Sequence, residues 1–140
     1  MRFVLLGIFL IFSQTLFSQN LIGIWRGYYS YDRPNSDIAI ALHIEMNPDS
    51  TLNIHSYTLF KNLDGADTTI KTKAKVLRVK KNILDIEEVD STLLFQNVLQ
   101  RMYLKYEQRG EFEYLEGIWK SGTPSFESKG SVIFVKLKEQ

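Results

Sequence analysis

The residues of this chain that could do chemistry are two histidines, several carboxylates and a row of lysines. His43 and His55 face each other if 37–46 and 51–60 form a hairpin. Two facing imidazoles can hold a divalent cation or sense pH, but a usable metal site wants a third ligand, and Glu45 is the one acid nearby. We therefore expect a solvent-facing pair and no metal. Glu87 and Glu88 are neighbours, so in a strand they point to opposite faces and cannot share one site. Glu111 and Glu113 share a face beside Lys105, where solvation is the expected state. Glu116 has the strand parity of Phe112, Tyr114 and Ile118, the face expected to be buried. A carboxyl inside a closed sheet would have a raised pKa or meet a cation, and would mark a ligand site. A twist or bulge at Gly117 that turns Glu116 outward is the favoured outcome.

Other chemistries have little to stand on. The chain has no cysteine, which removes thiol nucleophiles, thiolate metal sites and disulfides. No Gly-x-Ser-x-Gly elbow and no Gly-rich phosphate loop occurs. Lys71, Lys73 and Lys75 share one strand face and read as a charged outer surface that keeps a sheet soluble. No acid–base constellation assembles, so neither catalysis nor a cofactor is expected.

Strands must position these residues, because the hydropathy period is two almost throughout. Ile38, Ile40, Leu42, Ile44 and Met46 alternate with polar or small residues, and Leu52, Ile54, Ser56, Thr58 and Phe60 do the same after the turn Asn47-Pro48-Asp49-Ser50. Pairing Met46 with Leu52 sets Ile44 on Ile54, while a one-residue slip would set Ile44 on Asn53; burial selects the register. A strand from about Thr68 to Lys80 turns through Lys81-Asn82 into 83–89, pairing Val79 with Leu84, Leu77 with Ile86 and Arg78 with Asp85. Residues 90–97 are compatible with a helical turn or a loop, since Leu93-Leu94-Phe95 is too short to decide. Val98 to Glu107 and Glu111 to Lys120 flank a Gln108-Arg109-Gly110 turn, which sets Tyr106 on Phe112 and Leu104 on Tyr114. Gly130 opens the last strand, Ser131 to Lys138. About eight short strands with polar turns and no amphipathic helix predict an all-β, antiparallel up-and-down barrel, a size at which a sheet closes and loses its edges.

The first 18 residues form a separate unit. One arginine precedes an apolar run, Phe3 to Phe12, that is too short to span a bilayer, and Ser13, Gln14, Thr15 and Ser18 follow. This is the pattern of a signal peptide cut after Ser18, leaving one domain over 19–140; an uncleaved anchor is the alternative. Cleavage removes Arg2 from the 17 basic residues, leaving 16 against 16 acidic ones. A formally neutral domain offers no footprint for nucleic acid. The expected location is the periplasm or the medium, with no membrane span after cleavage.

Both tryptophans lie in a Gly-Ile-Trp-basic context, Gly23-Ile24-Trp25-Arg26 and Gly117-Ile118-Trp119-Lys120. Gly23-Ile24-Trp25, opening the first strand of an exported meander, resembles the Gly-x-Trp signature of the lipocalin and calycin superfamily. The resemblance implies a barrel whose Trp25 packs across the closed end under a basic residue of the last strand, here Lys136 or Lys138. It also implies a small apolar or amphipathic ligand, with Trp25, Tyr29, Leu42, Ile54, Met102 and Tyr114 as inward candidates. The family's Thr-Asp-Tyr and C-terminal helix are missing. Avidins also begin with Gly-x-Trp, but Gly27 and Tyr31 stand where they carry Asn and Ser, so biotin is not implied. The other function class left open is a side-chain-filled barrel that binds a protein or envelope polymer through its surface or end loops.

Overall fold

The computed structural model describes residues 17–31, 37–61, 64–91, 100–121 and 128–139. Residues 1–16 of the expected leader, the loop 32–36, residues 92–97 of the ambiguous segment and the loop 122–127 lie outside them.

Eight strands close into one antiparallel barrel in sequence order: β1 (Gly23–Tyr31), β2 (Ile38–Met46), β3 (Leu52–Lys61), β4 (Asp67–Lys80), β5 (Ile83–Ser91), β6 (Gln100–Arg109), β7 (Phe112–Ser121) and β8 (Lys129–Lys136). The margins meet, with β1 and β8 paired from Trp25 on Lys136 to Tyr31 on Gly130. Closure pairs the two margins and leaves no free edge strand.

The expected registers hold over β2–β3, with Met46 on Leu52, Ile44 on Ile54 and His43 on His55. Val79 on Leu84 and Arg78 on Asp85 hold as well, across a turn in which Lys81 and Asn82 both have positive φ, the backbone form that matches strand twist in a two-residue hairpin. Leu77 does not face Ile86. A bulge between Val76 and Arg78 gives that place to Val76, and Leu77 turns outward with Lys71, Lys73 and Lys75.

The β6–β7 hairpin differs more. It turns at Gly110-Glu111, Gly110 taking positive φ, and pairs Arg109 with Phe112, Tyr106 with Leu115 and Leu104 with Gly117. This register is three residues from the expected one, and an odd shift exchanges the faces of a strand. Leu115 and Trp119 therefore point in, while Phe112 and Ile118 are exposed. Tyr114 goes outward with them, which corrects its reading as an inward residue.

The lumen fills from one end. Residues 17–21 form a helical turn that lies over the barrel mouth where the tight turns gather. Leu21 is buried there, and its carbonyl accepts the Trp25 indole N–H at 2.8 Å. Phe17, 8% exposed, packs edge-on against Tyr106 at 5.8 Å, and Tyr106 packs edge-on against Trp25 at 6.3 Å. Trp25, Leu42, Ile44, Ile54, Leu84, Ile86, Leu104, Leu115 and Phe134 continue this apolar plug.

Candidate functional site

Trp25 is the bottom of the barrel. Lys136 on β8 reaches across its ring, Nζ lying 5.5 Å from the centroid, and donates to the Asn20 carbonyl at 2.6 Å. Lys136 therefore takes the basic position considered for either lysine; Lys138 instead lies over Phe112 beside Glu111. Glu113 completes this end. It accepts the Tyr106 hydroxyl at 2.7 Å and lies 3.7 Å from Lys136 Nζ. Burial and this carboxylate neighbour push the Tyr106 phenol up to about 12. The arrangement is a seal, with every polar group engaged.

The other half of the lumen is different. Strand parity along β5 runs Leu84, Ile86, Glu88, so the third inward residue of an apolar row is a carboxylic acid. Glu88 is 5% exposed. Its Oε1 accepts the Ser56 hydroxyl at 2.6 Å, and its Oε2 accepts the Gln100 backbone N–H at 3.0 Å. Ser56 lies on β3, two strands away; the partner of Glu88 on the intervening β4 is Ala74, whose methyl is small enough for the carboxyl to pass over. Ser56, Thr58, Thr72 and Gln100 are all buried on these walls.

This cluster is rich in acceptors. Among the described residues no lysine, arginine or histidine pairs with Glu88; the ion pairs there involve Asp85, Glu107, Glu111, Glu113 and Glu116. Burial raises the Glu88 pKa, and the Ser56 and Gln100 hydrogen bonds only partly oppose it. The Gln100 side-chain oxygen is buried with no hydrogen-bond partner, an uncommon state for an amide at 4% exposure. Aromatic rings stand on other walls of the same half. Tyr29 on β1 packs edge-on against Trp119 on β7 at 5.1 Å, and the Trp119 indole N–H donates to the Ser30 carbonyl at 3.1 Å.

Of the residues predicted to face a ligand, Trp25, Tyr29, Leu42, Ile54 and Met102 are fully buried. Trp25, Leu42 and Ile54 belong to the plug; Tyr29 and Met102 stand nearer the polar cluster, Met102 pairing with Ile86 and Trp119. Tyr114 lies on the outer face under the Arg109 guanidinium, 4.8 Å from its ring. Glu116, the carboxylate weighed for the interior, is outside and bonded to Arg109 at 2.6 Å. Sequence reasoning missed Glu88, although its parity with Leu84 and Ile86 was visible.

The histidines are outside the lumen. The His43 ring lies tilted by 40° against Tyr57 at 4.4 Å, and the His55 pKa is lowered, first by burial and then by Lys71 and Lys73. Two lysines beside the pair also repel a cation. Among the described residues no group of three His, Cys, Asp or Glu could hold a metal, and no helix is long and apolar enough to cross a membrane. An open cleft bordered by Asn47, Leu52, Lys73, Ala74 and Val76 contains none of the predicted ligand residues. A scan against models of protein families matches nothing, and neither does a search of curated proteins.

Proposed function

We propose that this chain is an exported, lipocalin-like barrel that holds a small amphipathic ligand in its lumen and does no chemistry on it. The observation that carries the reading is the Glu88 cluster: a buried carboxyl and an unpartnered buried amide oxygen above an apolar, aromatic floor. A barrel that only had to be filled would gain stability from an aliphatic side chain at that place, because an enclosed charge without a partner is costly. The Gly-x-Trp opening, with Lys136 over Trp25, supports the kinship with lipocalins. Native mass spectrometry of protein purified from the compartment that holds it tests the reading. A co-purified small molecule released on denaturation supports it; bare protein from that source speaks against it.

A second reading has its own observation. Tyr28 on β1 pairs with Ile133 on β8, and Ile118 on β7 pairs with Tyr103 on β6, all on the outer face. At 59% and 53% exposure, Tyr28 and Ile118 are the most exposed of this apolar group. Apolar residues gathered on an outer wall suit a protein or polymer partner. Tyr28→Ser with Ile118→Ser would abolish capture of such a partner and leave a lumen ligand in place.

A further inference from the structure

We propose that the Glu88–Gln100 cluster recognises the protonated amine of a small aromatic or arylalkyl cation. This rests on the reading of the lumen as a ligand site and names the class of ligand.

The argument is a balance of donors and acceptors. A carboxylate offers about four lone-pair directions and an amide oxygen two. Ser56 and the Gln100 backbone N–H fill one direction on each Glu88 oxygen, and nothing fills those of the Gln100 side-chain oxygen. An ammonium brings up to three donors and one positive charge, which matches this deficit in number and in sign. A carboxylate guest would place a second negative charge beside Glu88 and add acceptors where acceptors are already in excess. A neutral alcohol could give one donor and no charge.

The walls agree with this choice. Barrel order places β1 across from β5, so Tyr29 faces the side that carries Glu88, with Trp119 edge-on beside it. Aromatic rings near an acidic group favour organic cations, through the negative face of the π-system and through the apolar contact they offer the rest of the ligand. Arg101 is directed away. It lies outside the barrel, forked onto Asp85 at 2.9 and 3.2 Å, and among the described residues Glu88 has no cation of its own.

The test is a titration calorimetry series on the purified domain with three matched compounds: 2-phenylethylamine, 2-phenylethanol and 3-phenylpropanoate. The amine should bind about tenfold or more tightly than the alcohol, the usual gain from a charged over a neutral hydrogen bond, and the acid should bind least. Glu88→Gln, which keeps shape and hydrogen bonding but removes the charge, should erase the preference for the amine while alcohol binding stays within about threefold. Equal binding of amine and alcohol to the wild-type protein, or a preference surviving in Glu88→Gln, overturns the proposal and leaves the lumen reading intact. Failure of all three compounds to bind, together with bare protein in native mass spectrometry, overturns both.

Discussion

Ser56 and Glu88 meet across a strand to which neither belongs. The hydroxyl on β3 and the carboxyl on β5 close to 2.6 Å over Ala74 of β4, whose methyl leaves room for the contact.

The first prediction concerns pH. Burial raises the Glu88 pKa above its ordinary value of 4.5, so the folded chain holds this proton more tightly than the unfolded chain. The groups packed on it from β3, β4 and β6, namely Ser56, Ala74 and Gln100, do not titrate. Stability from this residue is thus fully present below the ordinary value and is lost as pH rises through the raised one, with a slope of at most about 1.4 kcal/mol per pH unit. Urea unfolding from about pH 4 to about pH 8 should show this slope in the ligand-free wild type and its absence in Glu88→Gln. A parallel pair of curves would refute it.

Lys136→Ala should cost about 1–2 kcal/mol, from the lost ring contact and the lost bond to the Asn20 carbonyl. Lys136→Arg should be better tolerated, since a guanidinium stacks on indole at least as well. Melting temperatures and Trp25 fluorescence follow both; an unchanged alanine variant would show that the lysine does not bear on the seal.

Gly130 lies where the Trp119 indole reaches the Ser30 carbonyl. A Cβ there would stand 1.7 Å from that oxygen and 2.8 Å from the indole nitrogen, closer than any atoms pack. Gly130→Ala should lose about 2–4 kcal/mol by pushing Trp119 off its acceptor, visible as a loss of near-ultraviolet circular dichroism. A wild-type spectrum with wild-type stability would mean that the strands separate without cost.

Phe17 tests where the folded unit starts. A chain beginning at Gln19 lacks the Phe17 contact with Tyr106 and should be less stable by about 1–3 kcal/mol than one retaining it. Denaturation of the two chains, beside N-terminal sequencing of protein from its native source, decides whether that ring belongs to the working protein. Equal stability would show that Leu21 and Trp25 close the end by themselves.

The barrel was legible because one face of most strands is strongly apolar. Ile44 and Ile54 leave a single register for β2–β3, and Asn47-Pro48-Asp49-Ser50 supplies a turn that fits it. β7 was ambiguous for the opposite reason: Phe112, Tyr114 and Ile118 make one parity attractive, Leu115 and Trp119 the other, and only the turn at Gly110-Glu111 settles the choice. The bulge beside Leu77 leaves no mark in composition, because valine and leucine serve equally on either face. Glu88 was readable from period alone. The adjacent Glu87 points to the opposite face and masks the row Leu84, Ile86, Glu88. Glu116, expected to turn outward, does so through the β6–β7 register and not through a bulge at Gly117.

The carboxyl enclosed without a counter-charge among the described residues also bears on how long a molecule survives. A guest cation would relieve that unfavourable field, so loaded copies would open less often than vacant ones. Proteases that act on transiently opened chains would then remove vacant copies first, and the standing amount of this protein would follow the supply of whatever it carries.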